Sequence, residues 1–211
     1  MALILTGILG ETKGKIGPVI AQTWKGKNYI RSYRKPIDRK SEDQLARRAL
    51  MTFVNDIGKY NYQTLIKPAM TGACVGQQYS PWNLFYKLNS GDTNLPNTPV
   101  NLAISYGTAP QLVCTGASYN YTGSQLFVGW STVVPVGCSA DDLVYAYMLP
   151  AGSNTLVKIS PDGLKRSAGV FIKSPVSGAD CLGNPLFLFT HGVDGNFSPS
   201  YGKIIVNAGA I

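Results

Sequence analysis

The stretch QLVCTGASYNYTGSQLFVGWS, residues 111–131, decides the fold of the larger part of this chain. It holds two apolar runs, 111–117 and 125–131, and the residues between them are rich in Ser, Asn and Gly. Such runs, bounded by turn-forming residues, are typical of neighbouring β-strands. The sequence therefore predicts two strands here, with Trp130 as a core residue.

Further runs of the same kind recur downstream at the spacing of a β-sandwich. They lie at residues 101–106, 143–149, 155–159, 169–173, 186–190 and 203–206. Seven or eight short strands around a buried tryptophan resemble an immunoglobulin or fibronectin type III sandwich. We predict a mainly β fold, α+β overall, with such a sandwich over residues 96–211.

Helical signals precede this region. Ser41, followed by acidic residues and a glutamine, is typical of a helix start, and apolar residues at helical spacing predict a helix over 42–57 that ends at Gly58. A shorter helix is predicted over 60–66, ended by Lys67-Pro68. A third begins at Ser80-Pro81, where a cap and a first-turn proline coincide.

The turn-rich run 90–99 predicts the domain boundary. We expect residues 1–95 to form a basic N-terminal arm, a hairpin and the helices, and residues 96–211 to form the sandwich. Residues 1–12 read as a short apolar strand or arm. Runs 18–24 and 28–33, with a Lys-Gly-Lys connection between them, predict the hairpin.

Positive charge is concentrated in the first half of the chain. The formal net charge is +8; residues 1–99 carry fourteen Lys and Arg against six Asp and Glu, whereas residues 100–211 carry five of each. Residues 14–36 (GKIGPVIAQTWKGKNYIRSYRKP) hold six basic residues and no acid. This asymmetry predicts an acidic or polyanionic partner, or a subunit interface that neutralises the charge.

The sequence gives little sign of chemistry. The four cysteines are far apart and there is one histidine, His191, so zinc sites of the usual spacing are excluded and we expect no metal or cofactor. Asp141-Asp142 is interpreted as a turn and strand start. Residues 1–10 lack a basic leader and are interrupted by glycines, so we expect neither a signal peptide nor a membrane span. Without a secretory signal, we expect the cysteines to remain free thiols.

Three stretches carry a resemblance to a known family. They are residues 14–36, SEDQLARRALMTFV (41–54), and RSAGVFIKSP (166–175) followed by LFLFTHGVDGNFSPSYGKIIV (186–206). Together they resemble a family, classed as a domain of unknown function, from Bacteroidetes genomes and phages linked to them. A similar opening occurs in small phage structural proteins. The resemblance implies a virion or assembly component, assembled in the host cytoplasm, and carries no catalytic residues over.

Two interpretations of the basic region remain open. One is a protein interface with sister subunits or other virion proteins, favoured because the strand at 28–33, continued to Arg34, puts an Arg on each face. The other is a nucleic-acid interface in which aromatic residues stack on bases. A carbohydrate-binding sandwich using Tyr119, Tyr121 and Tyr201 is a third. The residues predicted to contact the assembly partner or polyanion are Lys13, Lys15, Trp24, Lys25, Lys27, Tyr29, Arg31, Tyr33, Arg34, Lys35, Arg47 and Arg48.

Overall fold

The computed structural model describes residues 2–4, 14–24, 27–35 and 40–208. The chain divides into two compact units, Met1–Ser41 and Glu42–Ile211. The first holds a small sheet, and the second holds the helices together with a β-sandwich.

The N-terminal unit is a four-stranded antiparallel sheet in the order β1-β4-β3-β2. Its strands are β1 (Ala2–Ile4), β2 (Gly14–Ile16), β3 (Val19–Trp24) and β4 (Lys27–Ser32). The predicted hairpin is confirmed, since β3 and β4 pair in register from Val19 opposite Ser32 to Trp24 opposite Lys27. Gly17, with a φ of +56°, turns the chain from β2 into β3.

Two four-stranded sheets make up the sandwich of the second unit. One has the order β12-β5-β6-β9 and the other β11-β10-β7-β8. The strands are β5 (Cys114–Asn120), β6 (Gln125–Trp130), β7 (Leu143–Met148), β8 (Val157–Lys158), β9 (Val170–Lys173), β10 (Pro185–His191), β11 (Tyr201–Ile204) and β12 (Val206–Asn207).

The order of these strands is that of an immunoglobulin-type sandwich. With β5 to β11 read in chain order as A, B, C, C′, E, F and G, the two sheets become A-B-E and G-F-C-C′. The last strand changes sheets at Ile205, so that β12 pairs in parallel with β5. The predicted α+β fold with a sandwich is confirmed, and Trp130 is buried in its core as expected.

Helices form a third layer on the outer face of the β10–β7 sheet. A long helical run consists of α1 (Glu42–Asn61), a π-helical segment (Tyr62–Ile66) and α2 (Lys67–Cys74), and α3 (Pro81–Asn89) follows. Phe187 and Phe189 on β10 pack into the helical core, whereas Leu186 and Leu188 on the same strand pack between the sheets. β10 is therefore buried on both faces, which explains its continuous apolar run.

The helical predictions are only partly confirmed. Ser80 caps α3 as predicted, since its hydroxyl accepts a hydrogen bond from the Asn83 N–H at 3.3 Å. The predicted helix end at Gly58 is wrong because α1 continues to Asn61. Gly58 instead lets the helices pack closely, since a Cβ there would lie 2.7 Å from the Trp82 ring. Pro68 does not end a helix but occupies the first turn of α2, a position that needs no N–H donor.

The strand predicted at 101–106 is wrong. Residues Pro99–Asn101 form a 3₁₀ turn, and the chain then runs extended without pairing in a sheet. Two of its backbone donors bond to side chains instead: the Ala103 N–H donates to Asn89 Oδ1 at 2.8 Å and the Ile104 N–H to Ser200 Oγ at 3.0 Å. Leu102 and Ile104 thereby reach the helical core.

The division into units differs from the predicted boundary between residues 95 and 96, which lies inside the second unit. The reason is a shared core. One buried cluster contains Leu50 and Phe85 from the helices, Leu95 from within the turn-rich run, Ile104 from the segment after it, and Phe187 from the sandwich. The turn-rich run changes the direction of the chain without dividing the core.

Candidate functional site: the N-terminal sheet

One face of the N-terminal sheet brings together basic and aromatic side chains. The register sets Lys15 opposite Ile20 and Ile20 opposite Arg31, and side chains directly opposite each other share a face. Tyr29, two residues before Arg31, lies on the same face. The Lys15 Nζ sits 3.9 Å from the centre of the Tyr33 ring, which brings Tyr33 to that face as well. We call Lys15, Tyr29, Arg31 and Tyr33 the basic face.

The opposite face of the sheet is mainly apolar. Ala21 lies opposite Ile30, and Val19 lies on the same face two residues earlier. Ala21 is buried, whereas Val19 and Ile30 are half-buried. The sheet is thus two-sided, with cations on one face and aliphatic side chains on the other.

The sequence-based expectation that the strand carries Arg on both faces is not met. β4 ends at Ser32, so Arg34 and Lys35 follow the strand as exposed residues and do not continue its alternation. Lys15 and Arg31, the other cations of the strands whose side chains are described, lie on the same side. This removes the argument for a protein interface that rested on an Arg on each face of the strand.

The other predicted contact residues are dispersed. Trp24 and Lys27 are register partners where β3 meets β4. Lys13 and Lys25 lie outside the described residues. Arg47 and Arg48 are exposed on α1, in the second unit.

Most of the positive charge lies in the first unit, a much shorter stretch than the first half of the sequence. Residues 1–41 contain nine Lys and Arg and two Asp and Glu, a net charge of +7, which leaves +1 for residues 42–211. Among the described residues before Ser41 there is no carboxylate. The basic face therefore has no internal acidic partner within the described part of its own unit.

Sequence reasoning missed an aromatic pocket in the second unit. It has a volume of about 290 Å³ and lies between the helical run and the β10–β7 sheet. Thr64 and Leu65 of the π-helical segment form one wall, together with Pro68 and Ala69 of α2. The other wall consists of aromatic side chains, namely Tyr145, Tyr147, Phe189, His191 and Phe197. The signal for this pocket in the sequence was the aromatic residues at alternate positions of β7 and β10, whose side chains point away from the sandwich core.

His191 lies at the end of a strand. It is the last residue of β10, and its ring stacks on Phe197 with centroids 4.2 Å apart and planes at 7°. Among the described residues no cluster of three or more His, Cys, Asp or Glu side chains has the arrangement of a metal site.

A buried ion pair was likewise missed at Asp142. Its carboxylate lies 3.5 Å from Arg166 and accepts hydrogen bonds from the Ser139 N–H at 2.9 Å and the Val193 N–H at 3.3 Å. Asp142 does directly precede a strand, as predicted. Asp141 is exposed and pairs with Lys165 at 2.8 Å.

The three tyrosines of the carbohydrate hypothesis do not form an exposed platform. Tyr119 is buried and its hydroxyl donates to the Val176 carbonyl at 2.8 Å. Tyr121 packs edge-on against it with centroids 5.1 Å apart, and Tyr201 packs against the sandwich core from the other sheet.

The remaining sequence expectations concern thiols and membranes. All four cysteines are free, as predicted, and Cys114 and Cys181 are buried. Within the described part of the chain, no helix combines the length and the apolar character that crossing a bilayer requires.

No protein-family model and no curated protein matches the sequence. Among solved structures, the chain is similar to the solution structure of the fibronectin type III domain of human fibronectin type III domain containing protein 3. The match has 13% sequence identity and a TM-score of 0.31, and covers 50% of this chain and 92% of that one. The strand order described above, and not this likeness, is what establishes the sandwich.

Proposed function

We propose that the protein is a noncatalytic structural component of a bacteriophage particle, and that its N-terminal sheet docks onto an acidic surface of a neighbouring particle protein. One observation carries the proposal. Residues 1–41 form a compact unit with a net charge of +7, whereas the unit that contains the helices and the sandwich carries +1. The charge and the large core belong to different parts of the chain.

The construction of the sheet supports a docking role. Four short strands in one layer bury little surface, and such a sheet is stabilised when another layer covers one of its faces. Ala21 is the only fully buried side chain among those described in this unit. A partner that docks on the basic face and covers the half-buried Ile20 and Tyr29 there would therefore add burial that the sheet lacks.

The charge indicates what kind of partner fits. Arg31 and Lys15 are exposed cations, and two copies of a +7 unit placed face to face repel each other. A surface with carboxylates would form charge-assisted hydrogen bonds with Arg31. The resemblance of the N-terminal stretch to phage-linked proteins supports a particle protein as the source of that surface.

Particle incorporation tests this proposal. The chain is co-expressed with the other structural proteins of its particle, particles are isolated by sedimentation, and the copies of the chain per particle are counted. The variant Lys15→Glu/Arg31→Glu should be lost from particles. The control Lys67→Glu/Lys173→Glu changes the net charge equally at exposed positions of the second unit and should be retained. Equal incorporation of both variants would refute the docking role of the basic face.

A nucleic-acid partner is the second candidate, and the grouping of the cations on one face with Tyr29 and Tyr33 favours it. Lys15 covers one side of the Tyr33 ring, so Tyr29 is the better candidate for stacking on a base. Such stacking contributes about 1–3 kcal/mol per base. Tyr29→Ala should then weaken binding of single-stranded DNA about fivefold or more. Binding should also weaken steeply between about 50 and 200 mM salt.

A further inference from the structure

An exposed apolar tip lies at one end of the sandwich. The loop between β6 and β7, residues 131–142, begins with STVVPVG (131–137), which leaves Val133 73% and Val136 99% exposed. Val193, in the loop after β10, is 75% exposed. Asp142, the last residue of the connection from β6 to β7, accepts a hydrogen bond from the Val193 N–H and so joins the two loops. Apolar side chains presented so fully to solvent mark a contact surface.

The tip has a defined shape. The Val133 N–H donates to Ser131 Oγ at 3.3 Å, and the Cys138 N–H donates to the Pro135 carbonyl at 3.1 Å. Gly137, with a φ of +84°, closes the turn. A loop held by its own hydrogen bonds loses less conformational entropy on binding than a flexible loop.

The aromatic pocket lies at the same end of the sandwich. His191 and Phe197 line the pocket and flank the loop that carries Val193. The floor is built from parallel rings, since Tyr147 and Phe189 stack with centroids 5.9 Å apart and planes at 7°. The π-helical segment forms the facing wall, and π-helical turns in proteins often occur at functional sites.

We propose that this end of the sandwich pairs with the same end of a second copy, so that the apolar tip of each chain enters the aromatic pocket of the other. Tip and pocket match chemically. None of the residues that line the pocket is an Asp, Glu, Lys or Arg, and the loop 131–137 is likewise without charge. Proline and aliphatic side chains bind well against aromatic walls of this kind.

Two features identify the occupant as a second copy. Because tip and pocket lie at one end of the same chain, a two-fold axis can satisfy both contacts at once, as in the isologous interfaces of most dimers. The net charge of the second unit is only +1, so two copies of this unit approach without the repulsion that opposes contact between two N-terminal units. The pairing is independent of the docking role of the basic face.

Sedimentation equilibrium of the full chain over a range of concentrations tests the pairing. The wild-type chain should dimerise. Val136→Asp should weaken dimerisation about a hundredfold or more, because a carboxylate would be desolvated in an apolar pocket. Val206→Asp, at another exposed valine, is the matched control and should dimerise like the wild type. A wild-type chain that stays monomeric, or equal dimerisation of the two variants, would overturn the proposal.

A pocket variant separates tip insertion from other modes of pairing. Thr64→Trp fills the pocket from an exposed position and should also give monomers. Mixing the Val136→Asp and Thr64→Trp chains leaves one intact tip facing one intact pocket, so mixed dimers should form where each variant alone is monomeric. Dimers of undiminished strength with Thr64→Trp, or no mixed dimers, would refute insertion into the pocket. Lys15→Glu/Arg31→Glu should leave dimerisation unchanged, which keeps this test distinct from that of particle docking.

Discussion

Removing the charge of Asp142 should destabilise the second unit strongly. Asp142 and Arg166 are both almost completely buried, with side chains 4% and 2% exposed. The Nε and one terminal nitrogen of Arg166 lack hydrogen-bond partners among the described residues. The buried guanidinium is therefore compensated mainly by the charge of Asp142, 3.5 Å away. Asp142→Asn keeps an acceptor for a loop N–H but removes that charge.

The expected cost follows from the burial of the pair. Breaking a buried ion pair by removing one partner costs about 3–5 kcal/mol, because it leaves an uncompensated charge. For a unit of this size each kcal/mol lowers Tm by about 2–4 °C, so the transition should move down by roughly 6–20 °C. Asp142 also joins two loops, because its carboxylate accepts hydrogen bonds from the N–H groups of Ser139 and Val193. Losing one of those hydrogen bonds adds to the loss of stability.

Urea unfolding followed by tryptophan fluorescence measures the effect, with Trp130 as a reporter, because its indole N–H donates to the Arg166 carbonyl at 2.9 Å. Asp141→Asn is the matched control; it breaks the exposed pair with Lys165 and should cost at most about 1 kcal/mol. The double variant Asp142→Asn/Arg166→Met should recover most of the loss, since no buried charge remains. A loss below about 1 kcal/mol for Asp142→Asn would refute the reasoning.

Two further predictions concern packing and thiols. Gly58→Ala should lower the free energy of unfolding by up to about 2 kcal/mol in urea titrations, because the new Cβ would lie 2.7 Å from the Trp82 ring and this clash exceeds the gain of about 1 kcal/mol in helix propensity. Burial raises the pKa of the Cys114 and Cys181 thiols, so both should resist alkylation in the native state and react on unfolding, as mass spectrometry would show. Since the raised pKa applies to the folded state, stability should fall as pH rises above the ordinary thiol pKa; an unchanged unfolding midpoint there would contradict this.

The local sequence pattern predicted the sandwich well, because a strand can be recognised from a few consecutive residues. The run 125–131 alternates apolar core residues with partly exposed ones, and β6 occupies it almost residue for residue. The same reasoning failed at 101–106, where the apolar residues are extended but donate their hydrogen bonds to Asn89 and Ser200. An extended backbone is visible in a sequence, whereas the partner of its N–H groups is a property of the tertiary structure.

The layer of helices on the sandwich could have been predicted from β10. A strand at the surface of a two-layer sandwich alternates apolar and polar residues, but LFLFT (186–190) is apolar at the positions of both faces. Such a run requires cover on two sides, and the helices from 42 to 89 are the elements that supply it. The aromatic pocket follows from the same arrangement, since the rings of β7 and β10 meet the helical run there.

The basic face could be predicted in composition but not in arrangement. Six cations and no acid between residues 14 and 36 are evident in the sequence, yet whether they share a face depends on where β4 ends. Continuing the strand to Arg34 distributes the arginines over both faces; ending it at Ser32 leaves Arg31 with Lys15 on one. That difference favours nucleic-acid binding as a second candidate, because a polyanion binds most strongly where the cations converge on one surface. Particle incorporation and DNA binding should therefore both be measured for Lys15→Glu/Arg31→Glu and for Tyr29→Ala. Docking onto an acidic protein surface requires the two cations, whereas stacking on bases requires Tyr29 as well. The comparison tests the arrangement of the basic face as much as its charge.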